Sequence, residues 1–200
     1  METDLVIARL AEELAATCKK AFQRGLIAGA GGNISARIPH REEALITATG
    51  VSLGDITPAT IVRVDLNSQT LEAHGECRPS KEMGFHLSAY RLRPHVNAVV
   101  HLHPPYATAF AVRNKTLPLV TDGAMANLKY VPVVGFAPSG SAELHRLIEE
   151  GLRNYPDAKA ILLERHGMFS MGPNLTVAYN LADLVEATGQ IALFSALIPS

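Results

Sequence analysis

Short extended segments divide the first third of the chain, and this pattern constrains the fold more than any other feature of the sequence. β-Branched and apolar residues are grouped at Asn33–Ile38, Ala44–Ala48 and Ile61–Val64, with a shorter segment at Leu71–Ala73. Turn residues separate these segments, so the pattern predicts a meander of antiparallel strands. A run rich in glycine, residues 25–32, precedes the first of them.

Helices and further strands are expected around this meander. Apolar residues at helical spacing predict an amphipathic helix over about residues 4–25. Further helices are expected at 81–93, 105–112, 142–155 and 175–197, with Ser80, Ser141 and Asn174 as N-caps. Further strands are expected at Ala98–Leu102, Val131–Val134, Ala160–Leu163 and Met168–Met171. Together these elements predict an α/β fold with a central, mainly antiparallel sheet and helices around it.

Length and composition favour one domain spanning residues 1–200. The chain is 48% hydrophobic, enough for one sizeable core. Its 18 basic and 19 acidic residues leave a net charge of -1, which provides no broad basic field for nucleic acid or an anionic membrane. Cys18 and Cys77 are interpreted as reduced thiols. The chain shows no signal-peptide pattern and no apolar stretch of membrane-span length, so a cytoplasmic protein is expected.

The sharpest chemical signal is the pair His101 and His103, which follows the apolar residues Ala98, Val99 and Val100. Residues two apart on a strand project from the same face, so both imidazoles can reach one metal ion. A zinc site with an open position for substrate needs a third protein ligand, and His166 before Gly167 is the best candidate. Taken singly, the pair could be structural and His166 could be a turn histidine.

A second candidate group lies at the start of the helix expected after Pro79 and Ser80. The free N–H groups of a helix N-terminus suit an anionic ligand, and Lys81 adds a positive charge beside Glu82. The simpler alternative is an ordinary helix start with a solvated Lys–Glu pair.

Four histidines, His40, His74, His95 and His145, are expected at the surface because their sequence surroundings are polar. His86 lies one helical turn after Glu82 on the same face, and a buried, hydrogen-bonded role is expected for it.

Two turns could present backbone N–H groups and hydroxyls to a phosphate. The first is Gly31-Gly32-Asn33-Ile34-Ser35 and the second is Thr47-Ala48-Thr49-Gly50. Neither has Walker A spacing, and neither opens a dinucleotide-binding βαβ unit.

Five separated segments, GGNIS, ITATG, RPSKE, VVHLHPPYAT and LLERHG, occur in an order that resembles the class II aldolase/adducin family, whose members include L-fuculose-phosphate aldolase. The resemblance covers nearly the whole chain. It implies a three-layer α/β/α fold around a mainly antiparallel sheet. It also implies a homotetramer with fourfold symmetry, whose active sites lie between neighbouring subunits.

The resemblance also implies roles for individual residues. His101, His103 and His166 match the zinc ligands, with one ion per subunit, and Glu82 matches the catalytic acid/base. The positions that match phosphate-binding residues are Asn33, Thr49, Gly50 and Ser80. Lys81 departs from the fuculose-phosphate enzymes, which resemble one another in having a serine there, and we assign it to the same anion site. The fuculose-phosphate enzymes also use a tyrosine from a neighbouring subunit to handle the aldehyde oxygen. The matching stretch here is Thr121-Asp122-Gly123, which has no tyrosine, and the nearest one is Tyr130.

The function expected on these grounds is a zinc-dependent aldolase that cleaves a phosphorylated ketose through a metal-stabilised enediolate. Mn²⁺ or Co²⁺ could replace zinc. A decarboxylase of a phosphorylated sugar-derived keto acid and a ketose-phosphate epimerase remain alternatives, because both can use the same groups. A non-catalytic interaction module of the adducin type is the least favoured, since the three histidines and Glu82 are all present.

Overall fold

A single eight-stranded sheet forms the centre of the computed structural model, which describes residues 2–199. The strands are β1 (Asn33–Arg37), β2 (Glu43–Thr47), β3 (Ile61–Asp65), β4 (Thr70–Glu72), β5 (Ala98–Leu102), β6 (Val133–Val134), β7 (Ala160–Leu163) and β8 (Gly167–Gly172). Their order across the sheet is β4-β3-β2-β1-β5-β8-β7-β6. Every neighbouring pair is antiparallel except β6 and β7. The predicted meander β1–β4 and the mainly antiparallel sheet are therefore confirmed.

Helices cover both faces of this sheet. They are α1 (Glu2–Gln23), α2 (Met83–Leu92), α3 (Pro105–Val112), α4 (Asp122–Leu128), α5 (Ala142–Asn154) and α6 (Leu175–Ser195), with short 3₁₀ turns at Leu53–Asp55 and Pro58–Thr60. Side chains alternate between the faces along each strand. Val100 accordingly packs in the core that α1, α3, α4 and α6 cover, while Val99 packs beneath α2 and α5. The three-layer α/β/α arrangement follows.

The start of α2 differs from the sequence-based expectation. The helix begins at Met83, not at residue 81, and Ser80 is not its N-cap. The reason is that the backbone N–H of Ser80 bonds the carbonyl of Thr47 at 3.1 Å, and Pro79 forms an isolated bridge with Ala48. The chain is thus held in an extended conformation at the end of β2, and it can turn into a helix only after Glu82.

The other expected caps are confirmed, and one helix was not predicted. The side chain of Ser141 accepts a bond from Leu144 N, and that of Asn174 accepts one from Val177 N. The unpredicted helix is α4, which Thr121 caps. It has only seven residues, too few to show an apolar period in the sequence. None of the helices in the described part of the chain has both the length and the apolar character of a membrane span.

The sheet brings three strand ends together. Asn33 at the start of β1 pairs with His101 near the end of β5, and Leu102 of β5 pairs with Met168 near the start of β8. Antiparallel neighbours place the beginning of one strand beside the end of the next. Residues far apart in sequence therefore meet at one edge of the sheet.

Candidate metal centre

Three histidines converge at this edge. His101 lies in β5, His103 directly follows it, and His166 lies in the turn between β7 and β8. One nitrogen from each ring lies within 4.8 Å of the others. Gly167 makes this approach possible, because a Cβ at that position would lie 2.4 Å from the carbonyl oxygen of Leu102. The expected set of metal ligands is thus brought together by the fold.

A hydrogen bond to the backbone fixes the orientation of the fully buried His101 ring. Its Nδ1 lies 2.9 Å from the carbonyl oxygen of Met168, so Nδ1–H donates to that oxygen. The other nitrogen, Nε2, then presents its lone pair towards His103, whose Nε2 lies 3.0 Å away. A carbonyl that fixes the tautomer of a histidine in this way is typical of metal ligands. Three imidazoles, of which His101 is held in this way, fit the donor set of a zinc site with one open position.

Burial keeps two of these histidines neutral. Burial, followed by the effects of the neighbouring His101 and His166, lowers the pKa of His103 to about 3. Burial, followed by the effect of His101, likewise lowers the pKa of His166 to about 4. Neutral imidazoles are the form that a cation requires, so both side chains are ready to coordinate near pH 7.

The carboxylate of Glu82 lies against the histidines. Its Oε2 is 3.2 Å from Nε2 of His101, and its Oε1 is 3.3 Å from Nε2 of His166. The Ser139 hydroxyl donates to Oε1 at 2.7 Å, and the Asn33 amide donates to Oε2 at 2.9 Å. Burial by itself raises the pKa of Glu82, but the positive charge that a proton on His101 or His166 brings beside it, together with the bond from Ser139, outweighs burial and holds the pKa below its usual value. The buried carboxylate is therefore ionised.

A small cavity of about 160 Å³ opens beside Glu82 and His103. All five residues that the sequence assigned to anion binding line it: Asn33, Thr49, Gly50, Ser80 and Lys81. Gly32 must be glycine here, since it has a φ of 69° and a Cβ would lie 2.8 Å from the carbonyl oxygen of His101. Lys81 is exposed, and its chain lies along Gly140 at the rim. The cavity thus joins polar groups and one positive charge to the histidine cluster.

Sequence reasoning missed Ser139, which lines the cavity and contacts Glu82. Its only local signal is the small, polar run Pro138-Ser139-Gly140-Ser141, which indicates a turn before a helix and nothing more. Tyr130 does not line the cavity; it packs against Tyr155, with ring centroids 6.1 Å apart.

The expectation that His145 is a surface residue is wrong. Its ring is half-buried against Phe85, and its Nε2 is enclosed without a hydrogen-bond partner among the described residues. The reason is that α5 packs on α2, so this side of α5 is turned inwards. His40, His74 and His95 are exposed as expected, and His86 is buried and hydrogen-bonded as expected.

Known proteins resemble this chain over most of its length. Residues 12–193 match the family described as class II aldolase and adducin N-terminal domain. The L-fuculose phosphate aldolase of Methanococcus maripaludis is 34% identical over 174 residues, which are 87% of this chain and 91% of the relative.

Two solved structures extend this similarity to the fold. An L-fuculose 1-phosphate aldolase superimposes with a TM-score of 0.86 at 29% identity, covering 96% of this chain and 89% of the other. YgbL from Escherichia coli, described with aldolase, epimerase and decarboxylase as candidate activities, superimposes with a TM-score of 0.83 at 30% identity, covering 94% and 90%. The family and the relatives' names support a lyase of the aldolase type. This chain belongs to the class II aldolase and adducin N-terminal domain family.

Proposed function

We propose that this protein is a metal-dependent carbon–carbon lyase, an aldolase that cleaves a phosphorylated ketose. The observation that carries the proposal is the convergence of His101, His103 and His166 on the Glu82 carboxylate, beside a cavity lined by anion-binding groups. The names of relatives that act on L-fuculose phosphate support this substrate class.

The metal proposed is one Zn²⁺ per subunit, held by His101, His103 and His166, with Mn²⁺ or Co²⁺ as possible replacements. The neutral, half-buried imidazoles of His103 and His166 and the carbonyl bonded to His101 support this assignment. When bound, the cation supplies Lewis-acid stabilisation of the negative charge that develops beside the ketone as the bond breaks.

Glu82 is proposed to carry the proton. In the cleavage direction the substrate hydroxyl that becomes the aldehyde oxygen loses one proton, and Glu82, once protonated, delivers one to the carbon from which the aldehyde departs. In the reverse direction the carboxylate removes the proton from that carbon. Its burial and its ionised state support the role of base. The bonds from Ser139 and Asn33 hold one oxygen each, which limits the orientations that the carboxylate can take.

The phosphate is proposed to bind among Asn33, Thr49, Gly50, Ser80 and Lys81 in the same cavity. Gly50 has a φ of 76° and open space around it, so its backbone can approach an anion closely. Binding energy from this end of the substrate would fix the position of the reacting carbon relative to Glu82.

A decarboxylase of a phosphorylated sugar-derived keto acid is the second candidate, and Lys81 is the observation that favours it. Its ammonium group adds a charge at the cavity rim that a substrate carboxylate could use, and the related YgbL has decarboxylase among its candidate activities. An epimerase is a weaker alternative. A non-catalytic module is the weakest, because it would have no use for buried Glu82 and three converging histidines.

The proposed partner is a small phosphorylated substrate, not nucleic acid or membrane, and the proposed assembly is a homotetramer in the cytoplasm. Large apolar side chains remain exposed along and beyond the end of α6, which supports burial against another subunit: Ile191, Leu193, Phe194, Leu197 and Ile198.

A substrate panel tests the proposal. Zinc-loaded protein is incubated with phosphorylated ketoses and with phosphorylated keto acids, and release of aldehyde and of carbon dioxide is measured separately. Aldehyde from a ketose phosphate supports the aldolase, and carbon dioxide without aldehyde overturns it in favour of the decarboxylase. Turnover of neither class would refute both lyase assignments.

A further inference from the structure

Glu82 and Asn33 belong to a longer group of buried polar side chains, of which His86, Ser35 and Tyr90 have no part in the proposed reaction. Glu82, at the N-cap of α2, is followed at intervals of four residues by His86 and Tyr90 within the helix. Asn33 and Ser35 face them from β1, two residues apart. Four residues of helix and two residues of strand each advance about 6 Å, so the two rows can remain in register.

Hydrogen bonds join the two rows without a gap. Asn33 Nδ2 lies 2.9 Å from Glu82 Oε2, and His86 Nε2 lies 2.5 Å from Asn33 Oδ1. On the other side of the ring, Ser35 Oγ lies 2.7 Å from His86 Nδ1 and 2.6 Å from the Tyr90 hydroxyl. All five side chains are buried.

The orientation of the Asn33 amide determines the donors in this chain. Its nitrogen faces Glu82 and donates to that carboxyl group, and its oxygen, which can only accept, faces His86. His86 therefore carries its proton on Nε2. Burial lowers the pKa of His86 to about 3, which keeps the ring neutral, so Nδ1 accepts from the Ser35 hydroxyl. Ser35 in turn accepts from Tyr90.

We propose that His86 and Asn33 are positioning residues, and that the chain Tyr90–Ser35–His86–Asn33 fixes the direction in which the Glu82 carboxylate faces. The inference rests on the proposed role of Glu82 in proton transfer. His86 does not line the cavity and is fully buried, so its hydrogen-bonded connection to Glu82 runs through Asn33. Asn33 then holds Glu82 in addition to lining the anion site.

The rival explanation is that this cluster only stabilises the core, since buried polar groups are retained when all are hydrogen-bonded. The kinetic test uses His86→Phe, which removes both ring nitrogens, and His86→Gln, which keeps an N–H donor. Ser170→Ala is the matched control, because this buried hydroxyl bonds the carbonyl of Ala178, away from Glu82. We expect His86→Phe to lower kcat about 10–100-fold, the scale for residues that orient catalytic groups. We expect KM and metal content to be retained, and His86→Gln to recover part of kcat.

A double-mutant cycle shows whether His86 acts through Asn33. In an Asn33→Leu background, His86→Phe should cost little further kcat, because the connection is already broken. Independent, multiplicative losses would overturn the proposal, as would a His86→Phe protein with normal kcat or with only a raised KM. If His86→Phe does not fold, Tyr90→Phe and His86→Gln are compared in its place. The larger loss of kcat is then expected for His86→Gln, because His86 is nearer Glu82 than Tyr90 is.

A spectroscopic measurement separates this inference from the proposed function. Nitrogen NMR of ¹⁵N-histidine-labelled protein should show His86 as the neutral Nε2–H tautomer. Its ring shifts should change in Glu82→Leu and stay unchanged in Ser170→Ala, because a residue that orients Glu82 is oriented by it in return. An Nδ1–H tautomer, or no response to Glu82→Leu, overturns the chain whatever the substrate panel shows. If the His86 ring shifts change in Glu82→Leu as expected but the protein turns over no substrate, only the proposed reaction is refuted.

Discussion

Nδ1 of His101 lies 2.9 Å from the carbonyl oxygen of Met168, on the neighbouring strand β8. This backbone bond leaves only Nε2 to face His103 and His166. The metal site proposed here therefore depends on strand pairing as much as on the histidines themselves.

Elemental analysis of purified protein should find about one equivalent of divalent metal per chain, most of it zinc. The double variant His101→Ala/His103→Ala should lose this metal, while the control His95→Ala, at an exposed position, should retain it. Equal metal in the double variant and the wild type would refute the ligand assignment.

Glu82→Gln should lower kcat by roughly 10²–10⁴-fold, the usual contribution of general acid–base catalysis. The amide keeps the size of the side chain but cannot accept and return the proton. Metal content is measured in the same samples and should be unchanged. Near-normal turnover would remove Glu82 from the proton-transfer role.

Lys81→Ser should mainly raise KM for phosphorylated or carboxylated substrates, because the lost charge acts in the bound substrate as well as in the transition state. Lys115→Ser removes the same charge from an exposed position outside the cavity and should leave KM unchanged. An unaltered KM in Lys81→Ser for every anionic substrate would show that Lys81 is only a solvated side chain.

Acid should destabilise the metal-free protein, partly through His86. The unfolded chain takes up a proton at this residue as the pH falls below about 6.5, whereas the folded pKa is about 3. Stability from neutral His86 is thus present above pH 6.5 and is lost progressively as the pH falls towards 3. Between pH 7 and 5, the free energy of unfolding should fall by about 2 kcal/mol more in the wild type than in His86→Gln. Urea denaturation at matched protein concentration measures this difference, and equal falls would contradict it.

Sedimentation should give a mass near four times 21.4 kDa. Charged substitutions at Phe194 and Ile198, both exposed in one chain, should lower that mass if these side chains lie between subunits. A fully active wild-type monomer would refute both the tetramer and active sites shared between subunits.

Local sequence patterns predicted the parts of the molecule that depend on near neighbours. Period-two spacing predicted that His101 of β5 and His103, directly after the strand, project to the same side, and polar side chains marked the caps at Ser141 and Asn174. These features are decided within a few residues, where backbone geometry fixes the direction of each side chain. The three histidines, Glu82 and the turns around the cavity could therefore be named from the sequence and its resemblance to a family.

Tertiary structure decided what depends on the order of the strands. Because Pro79 bridges to Ala48, α2 begins after Ser80 and not at residue 81. Because α5 packs on α2, the His145 ring faces inwards. Asn33 reaches Glu82 across 49 residues, and Ser139 reaches it across 57. No local period signals such bonds, because they form only once β1, β5 and β8 lie side by side and the helices have packed on them. The sequence determined which groups are available for chemistry, and the packing of the sheet determined which of them hold the carboxylate.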